Sequence, residues 1–560
     1  MTVLKSEIRR GAYADSIILM QLQSELKRLP GVLDAGVVMA TPTNLDLLRA
    51  SDLLPSAVAD QAGGDDLVVV VRAETAAAAE EALEQVDALM QRKGAVATGD
   101  FRPHSLAAAI KLRPDANWTL ISAPGRWAAQ IAREALELGR HLFIYSDNVE
   151  IEEEIALKRD AAEKGLLVMG PDCGTALING IGFGFANRVR RGPVGLVCAA
   201  GTGLQAIASR VHELGAGISQ AIGTGGRDLS ADVGGRTARQ GLDLLARDPG
   251  TQVLVLASKP PEKKVAAQLL AAALEIEKPV VVSFSGWSAP APQIGNLYFA
   301  RGLTEAADLA VELAGREQDQ RPLVRQRPAL TGLVRGLFAG GTLALEAVQG
   351  LSPFLAPLYS NLTAPGVAKV PGTTPSRGHT ILDLGADELT VGRLHPMLDP
   401  QLRLQRLRQE MADPEVSLVL LDVVLGRGTH SDPASELAPA IAECLQRDDL
   451  EVVVVLVGTE EDPQNLDSTQ EQLVTAGATV YRTVSAAIDH IVPRAIPAVS
   501  PLACPVTLEI FEDPVVAINI GLEGFYTDLL DQQVEAVQVD WRPPAGGNEK
   551  LVSILERMKS

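Results

Sequence analysis

The sequence predicts a multi-domain α/β protein with parallel sheets, and three observations support this prediction. The chain has 560 residues, more than one hydrophobic core usually contains. From about residue 103 onward, short apolar runs alternate with helical patterns, which is typical of parallel strands covered by helices on both faces. Several of these runs recur in the same order farther along the chain, which indicates an internal duplication.

Five segments follow from this pattern. Residues 1–100 show a helix, two strands and a second helix, which predicts a small α+β domain. The segments 101–190 and 191–320 each alternate strands with helices. A second copy of the latter is expected over 330–495, and a C-terminal α/β segment over 505–560.

The duplication rests on four pairs of matching stretches. The stretch from Val194, VGLVCAAGTGLQA, matches RGLFAGGTLALEA from Arg335. In the same order, AIGTGGRD matches ILDLGADE, DPGTQVLVLASK matches DPEVSLVLLDVV, and KPVVVSFSGW matches LEVVVVLVGT. The two copies are therefore expected to share one fold.

Composition excludes several classes of function. The formal net charge is −20, which argues against binding to nucleic acid or to an anionic membrane surface. The chain has no run of about 20 apolar residues that could span a bilayer, and its polar N-terminus lacks a signal peptide. Four widely spaced cysteines without a CxxC pair indicate neither disulfides nor a zinc site; they are Cys173, Cys198, Cys444 and Cys504. A cytoplasmic protein without a metal site is expected.

The first candidate site is the AAGTG turn at 199–203. An apolar strand ends there and a helical pattern begins, so free backbone N–H groups and the helix dipole favour an anion. Gly201 and Gly203 permit close approach of the backbone, and Thr202 adds a hydroxyl. The turn lacks the lysine of a P-loop. It is either a phosphate site or a tight turn in a buried sheet.

A second strand-to-helix turn lies at 426–430, in the sequence GRGTH. Arg427 beside free N–H groups would suit a phosphate or a carboxylate; the alternative is a solvated turn. Two weaker candidates are the GGT turn at 340–342 and the non-helical stretch that contains Arg393 and His395. A lone histidine such as His395 is more often structural than catalytic.

Two groups of motifs resemble succinyl-CoA synthetase. LLVMGPDCGTALINGIGFGFAN and GPVGLVCAAGTG resemble its α subunit, and ILDLGADE and LVLLDVVLGRG resemble the carboxyl domain of its β subunit. The resemblance implies a Rossmann-like CoA-binding-type domain over 101–190, followed by two flavodoxin-like ligase-CoA domains. In that family a helix N-terminus from each half points at a phosphohistidine. By analogy, 201–203 and 426–428 would be the two facing ends.

The order of the segments is similar to that of the FdrA family. YADSIILMQLQSEL and MATPTNLDLL resemble its N-terminal segment, and VVAINIGLEGFYTDLLDQQ and VQVDWRPPAGGN its C-terminal one. The family is associated with acyl-CoA synthetases and with oxamate carbamoyltransferase in allantoin breakdown. The resemblance implies additional protein subunits encoded by neighbouring genes, and it leaves a homo-oligomer open.

Two departures from the synthetase pattern bear on the chemistry. The stretch expected to carry the phosphohistidine, KPVVVSFSGWSAPAPQIGNLYFARG, has no histidine, and Asn296 stands near the expected place. Ser258 and Lys259 replace the supporting glutamate. An amide cannot carry a phosphoryl group as an imidazole can. The CoA-binding glycine fingerprint is also missing from residues 1–120, and no ATP-grasp domain is seen.

The resemblance and these departures together imply a subunit of an oxamate-type carbamoyltransferase. It would transfer a carbamoyl group between oxalurate and phosphate without a phosphohistidine, with phosphate or carbamoyl phosphate as a substrate and no certain cofactor. Lys259, Arg427 and His430 would be catalytic. The alternatives are an acyl-CoA synthetase that binds CoA and a non-catalytic subunit that binds CoA or phosphate.

The remaining expected site residues would bind phosphate or substrate. They are Pro171, Asp172, Cys173, Gly201, Thr202, Gly203, Gly225, Gly226, Asn296, Gly340, Gly341, Thr342, Arg393, His395, Gly426, Gly428 and Thr429.

Overall fold

The computed structural model describes most of the chain. The described residues are 2–10, 16–55, 58, 61–63, 66–91, 102–287, 291–315, 329–496, 499 and 501–543. They form two compact units. The N-terminal unit comprises residues 1–116, 518–528 and 536–560, and the main unit comprises 117–517 and 529–535.

The N-terminal unit contains a three-stranded antiparallel sheet in the order β1-β3-β2. Alternate residues of β3 point to opposite faces, so Val69 and Val71 pack with two helices while Val68 and Val70 pack on the other side of the sheet. The elements are β1 (Val3–Arg9), α1 (Ser16–Lys27), β2 (Val32–Met39), α2 (Pro42–Ala50), β3 (Leu67–Ala73), α3 (Ala76–Gln91) and α4 (Leu106–Leu112).

In the described part of residues 1–100, β1 and α2 are elements that the sequence pattern does not predict. The MATPTN stretch continues into α2, where Pro42 occupies the first turn and the Thr41 hydroxyl accepts a hydrogen bond from the Asn44 N–H at 3.3 Å. A threonine cap and a proline in the first turn are the usual start of a helix.

The main unit begins with parallel strands β4, β5 and β6 that alternate with helices. Val168 and Met169 form β6, and the Gly170–Thr175 turn follows it at the carboxyl edge of these strands. The elements are β4 (Trp118–Ile121), α5 (Gly125–Glu137), β5 (His141–Ile144), α6 (Ile151–Lys164) and β6 (Val168–Met169).

An eight-stranded sheet follows, in the order β13-β14-β12-β11-β9-β10-β7-β8. Its hairpin β7–β8 lies within 101–190 in the sequence but pairs with β10, so this hairpin extends the second sheet rather than the first. The elements are β7 (Thr175–Ile178), β8 (Ile181–Gly184), β9 (Arg191–Cys198), α7 (Gly201–Glu213), β10 (Ile218–Gly223), α8 (Arg236–Arg247), β11 (Val253–Ser258), α9 (Lys263–Leu274), β12 (Val280–Phe284), β13 (Gln293–Ile294), β14 (Leu297–Phe299) and α10 (Leu303–Gly315).

A seven-stranded parallel sheet has the order β17-β16-β18-β15-β19-β20-β21. Its central order β20-β19-β15-β18 repeats the order β12-β11-β9-β10 of the preceding sheet. The elements are β15 (Leu333–Phe338), α11 (Gly341–Leu351), β16 (Leu358–Ser360), β17 (Ala368–Lys369), β18 (His379–Asp383), α12 (Asp387–Thr390), α13 (Gln401–Met411), β19 (Val416–Val424), α14 (Pro433–Cys444), β20 (Glu451–Val457), α15 (Leu466–Thr475), β21 (Thr479–Tyr481) and α16 (Val484–Ala495).

The C-terminal elements are shared between the two units. Within the main unit, Asn117 donates its backbone N–H to the carbonyl oxygen of Val516 at 3.0 Å. Within the N-terminal unit, Asn519 donates to the side chain of Gln538 at 2.6 Å. The elements are α17 (Glu509–Glu512), β22 (Val516–Ile520), α18 (Glu523–Asp531) and β23 (Glu535–Val539).

The predicted multi-domain α/β class is confirmed, since parallel sheets alternate with helices throughout the main unit. In the part of the chain that is described, we find no helix with the length and apolar character needed to cross a membrane.

Candidate functional site

The N-terminus of α7 lies directly after the end of β9. Ala200 occupies the N-cap position with extended backbone angles, and its methyl side chain offers no acceptor to the helix N–H groups. The first turn consists of Gly201, Thr202 and Gly203. A helix start without a side-chain cap leaves its N–H groups available to an external anion.

This helix start opens into a cavity of about 250 Å³. Four parts of the chain meet there: the turn after β6, the start of α7, the loop after β10, and the end of β11. The cavity is smaller than the range of about 300–1,000 Å³ that drug-sized ligands occupy. Seven of the site residues expected from the sequence line this cavity, namely Asp172, Cys173, Gly201, Thr202, Gly225, Gly226 and Lys259.

Close backbone packing forms the wall opposite the helix. Gly225 has a φ of +89°, and a side chain at this position would collide with the carbonyl oxygen of Pro171. Only glycine combines this backbone angle with such a close approach. Pro171 therefore supports this wall from behind, and neither Pro171 nor Gly203 lines the cavity.

The cavity carries one cation and one carboxylate on exposed side chains, Lys259 and Asp172. Its two thiols are buried, and burial raises the pKa values of Cys173 and Cys198 to about 12. Both remain protonated at neutral pH, so neither is a nucleophile. Groups that can bind an anion include the N–H groups of α7, the hydroxyl of Thr202 and the ammonium of Lys259.

The matching helix start in the second copy, that of α11, differs because a carboxylate of the chain itself lies beside it. This carboxylate belongs to Asp422, near the end of β19. Its carboxylate accepts the backbone N–H groups of Ala339 at 2.7 Å and Gly340 at 2.8 Å. The buried guanidinium of Arg403 lies 3.1 Å from the same carboxylate. The carboxylate thus satisfies two backbone N–H groups at the entrance to α11, which begins at Gly341.

A second carboxylate lies beside this helix start. A side chain at Gly341 would come within 2.6 Å of an Asp383 carboxylate oxygen. Burial and the nearby charge of Asp422 raise the pKa of Asp383 above its usual value. The expectation that Gly340, Gly341 and Thr342 form an anion site is therefore corrected, since two carboxylates already face this turn.

The aligned copies show the origin of the asymmetry. Ala257 stands at the position of Asp422, and Gly223 stands at that of Asp383. Both Ala257 and Gly223 pair with Cys198 at the end of β9. The first copy thus lacks both carboxylates. Neither Ala257 nor Gly223 places an acidic group beside the start of α7, whereas Asp422 and Asp383 do so at the start of α11.

The 426–430 turn does not begin a helix. α14 starts at Pro433 and is capped by the side chain of Asp432, which accepts from the Ser435 N–H at 3.2 Å. Gln464 holds the turn instead, accepting from the Gly426 N–H at 3.1 Å and donating to the Gly426 carbonyl oxygen at 2.8 Å. The expected helix-end site at Gly426 and Gly428 is corrected accordingly.

Two of the other candidates in the second copy, His395 and His430, contact Met397. The Met397 N–H donates to His395 Nδ1 at 3.2 Å, and its carbonyl oxygen accepts from the His430 N–H at 2.7 Å. His430 Nδ1 accepts from the Asp432 N–H at 3.1 Å. Both imidazoles therefore fix local turns. The hydroxyl of Thr429 donates within its own turn, and the side chains of Arg393 and Arg427 are exposed.

Asn296 lies away from the lining of the cavity. It is buried, and its side-chain amide donates to the carbonyl oxygens of Ala273 at 2.8 Å, Ile276 at 2.8 Å and Lys278 at 3.2 Å. These carbonyls lie at and just after the end of α9, so Asn296 caps that helix end. This corrects its expected place in the substrate site.

Sequence reasoning missed Asp383, Asp422 and Arg403. Both acids stand in quoted motifs, ILDLGADE and LVLLDVVLG, at the ends of apolar strands. A charged residue that ends a buried strand is the signal that could have identified them, because such a group needs a partner.

Two family models match the chain. One is described as "AllF, heavy metal-associated domain" and matches residues 1–104; the other is described as "CoA-ligase" and matches residues 337–490. Residues 1–104 contain no cysteine and one histidine, His104. They do not fit a soft heavy-metal ion, for which thiolates are the preferred ligands.

Relatives and a solved structure extend the comparison. A succinate–CoA ligase α-2 subunit from Trichomonas vaginalis is 28% identical over 36% of this chain and 69% of its own length. A dinucleotide-forming acetyl-coenzyme A synthetase 1 from Ca. Korarchaeum cryptofilum has a TM-score of 0.29 at 15% identity, covering 69% of this chain and 84% of its own.

The Escherichia coli protein YahF is 38% identical over 490 residues, which are 85% of this chain and 95% of YahF. The chain is thus a CoA-ligase-like protein related to the succinyl-CoA synthetases. It belongs to the family of YahF, a succinyl-CoA-synthetase-like family.

Proposed function

We propose that the main unit binds an acyl phosphate in the cavity at the start of α7 and transfers the acyl group to the thiol of CoA. The observation that carries this proposal is the uncapped start of α7 beside Lys259, in a cavity of about 250 Å³. The products are an acyl-CoA thioester and inorganic phosphate.

The proposed roles follow from where charge develops. The thiol sulfur attacks the carbonyl carbon, the bond between that carbon and the phosphate oxygen breaks, and the phosphate leaves with the electron pair. The thiol proton goes to the departing phosphate. The N–H groups of Gly201, Thr202 and Gly203 and the ammonium of Lys259 would stabilise the charge on the phosphate.

The residues that line the cavity support a phosphate that belongs to the substrate rather than to a phosphorylated side chain. No histidine stands among its lining residues in the described part of the chain. A phosphoryl group would then enter and leave as part of the substrate or product. The names of relatives support the acyl acceptor, since they include succinate–CoA ligases and an ADP-forming sulfoacetate–CoA ligase subunit from Bilophila wadsworthia.

A second candidate is carbamoyl transfer between oxalurate and phosphate, as in an oxamate-type carbamoyltransferase. The small volume of the cavity favours it, because carbamoyl phosphate is among the smallest acyl phosphates. The same N–H groups would bind its phosphate, and Lys259 could instead bind the oxalurate carboxylate. In both cases we propose that additional subunits, encoded by neighbouring genes, contribute to the activity.

The test uses the purified chain alone and then together with proteins encoded beside its gene. One reaction contains acetyl phosphate or succinyl phosphate with CoA, and thioester formation is measured. A parallel reaction contains oxalurate and phosphate, and carbamoyl phosphate is measured. Thioester formation supports the first function, and carbamoyl phosphate without thioester selects the second. Absence of both products, together with no binding of phosphate, would refute a phosphate-dependent transferase.

A further inference from the structure

A buried charge cluster lies behind the cavity, formed by Glu154, Lys158, Arg227 and Asp228. The ammonium of Lys158 is 1% exposed, and it lies 2.9 Å from Glu154 Oε1 and 2.8 Å from Asp228 Oδ1. It also donates to the carbonyl oxygen of Thr224 at 2.9 Å. Its contacts with Asp228 and Thr224 are hydrogen bonds, and its contact with Glu154 is an ion pair without a hydrogen bond to Oε1.

Arg227 closes the cluster from the more exposed side. Its Nε donates to Glu154 Oε2 at 3.0 Å, and its Nη2 donates to the carbonyl oxygen of Val149 at 2.7 Å. The positive charges of Lys158 and Arg227 therefore balance the negative charges of the two carboxylates. Glu154 and Asp228 are fully buried, while the side chain of Arg227 is 40% exposed.

The cluster anchors both ends of one short loop. Lys158 holds Thr224, where the loop leaves β10, and Asp228 accepts from the N–H groups of Thr237 at 3.2 Å and Ala238 at 2.9 Å at the start of α8. Between these anchors, Gly225 and Gly226 line the cavity. The loop is thus fixed to α6 on one side and packed on Pro171 on the other.

We propose that Lys158 and Arg227 are positioning residues of the anion site, which set the distance of the Gly225–Gly226 wall from the start of α7. This inference rests on the proposed function of the cavity. Replacing a complete buried ion pair by apolar groups of similar volume is often neutral for stability. In this cluster, the charged groups also hold both ends of the loop. A displacement of about 1 Å in such a wall is enough to weaken binding substantially.

The test compares three variants of the full chain. Arg227→Met removes the cation from the half-exposed side of the cluster. Arg227→Lys retains the charge but not the planar guanidinium, whose Nε and Nη2 reach Glu154 and Val149. The control is Arg133→Met. Arg133 pairs with Glu153 on α6, and among the described residues it makes no hydrogen bond to the 224–228 loop. Calorimetric titration with inorganic phosphate gives Kd, and hydrogen exchange reports on the 224–228 amides.

We expect Arg227→Met to raise the Kd for phosphate about tenfold and to speed exchange in the loop. Its melting temperature should fall below that of Arg133→Met, because the buried carboxylate of Glu154 loses the guanidinium that donates to its Oε2. Arg227→Lys is expected to restore part of the affinity, and Arg133→Met to bind as the wild type does. Unchanged Kd and exchange in Arg227→Met, with a wild type that binds phosphate, would overturn the positioning role alone. If the wild type binds no phosphate, the proposed function is overturned, and the role of this loop in positioning an anion site is overturned as well.

Discussion

The carboxylate of Asp422 accepts the backbone N–H of Gly340 at 2.8 Å, one residue before α11 begins. In the first copy of the duplicated fold, Ala257 occupies the matching place, and no carboxylate reaches the start of α7 from that position. One copy therefore carries its own anion, and the other leaves room for an anion from solution. This difference is the physical basis of the proposed site.

The carboxylate of Asp422 should stabilise the folded chain. We expect Asp422→Ala to lower the free energy of unfolding by about 3–5 kcal/mol, because it leaves the buried guanidinium of Arg403 without its carboxylate. Urea unfolding measures the change. In the control Asp449→Ala, which breaks an exposed pair with Arg447, the loss should be much smaller, because solvent screens an exposed ion pair. Equal losses in the two variants would show that Asp422 is not needed to balance Arg403.

Lys259 should contribute electrostatically to anion binding. We expect Lys259→Met to raise the Kd for phosphate about tenfold at low salt and by less at high salt, since salt screens an exposed charge. The matched control is Lys264→Met, which removes an exposed lysine from the first turn of α9. Titration calorimetry at two ionic strengths compares them. The same Kd for both variants would remove Lys259 from the site.

The chain should lose stability at acid pH through Glu451. Burial alone would raise its pKa, but hydrogen bonds from His490 and Arg494 outweigh burial and lower the pKa to about 2. Because folding lowers this pKa from its ordinary value of 4.5, the stabilisation is complete well above pH 4.5 and is lost as the pH falls towards 2. Its full size is about 3 kcal/mol.

Glu451→Gln should therefore be less stable than the wild type near neutral pH, with a difference that shrinks below pH 4.5. Denaturant unfolding at a series of pH values measures this difference. A constant difference across the range would mean that the pKa of Glu451 is not lowered by folding.

Thiol reactivity should separate the four cysteines. Burial raises the pKa values of Cys173 and Cys198 to about 12 and that of Cys444 to about 11, while Cys504 is partly exposed. We expect one thiol, that of Cys504, to react rapidly with a maleimide at neutral pH in the folded chain, and all four to react in denaturant. Mass spectrometry of the peptides identifies the site. Rapid labelling of Cys173 would indicate an open, ionised thiol in the cavity.

The sequence pattern predicted the α/β class because each buried strand and each helix is a local signal. It did not predict β1, in which apolar residues are interspersed with charges that pair with other elements: Lys5 contacts Glu80, and Arg9 contacts Asp87. Such a strand lacks the apolar run that identifies the buried strands.

The candidate site was predicted in part. The helix start at Gly201 and the turn at Asp172 are recognisable locally, since each follows an apolar strand. The contact of Asp422 with Gly340 depends instead on β15 and β19 being neighbours, and Gln464 reaches the Gly426 turn from 38 residues away. Only the tertiary fold shows which helix start is already occupied.

The most direct test of the account is a calorimetric titration of inorganic phosphate into the wild type and into Ala200→Asp. Aspartate at this N-cap would supply α7 with its own carboxylate and stabilise the helix by about 1 kcal/mol, with Ala200→Asn as the uncharged control. We predict that the wild type binds one phosphate per chain, that Ala200→Asn binds it more weakly, and that Ala200→Asp binds none while melting at a higher temperature. Phosphate binding of equal strength in the wild type and Ala200→Asp would contradict a site at the start of α7.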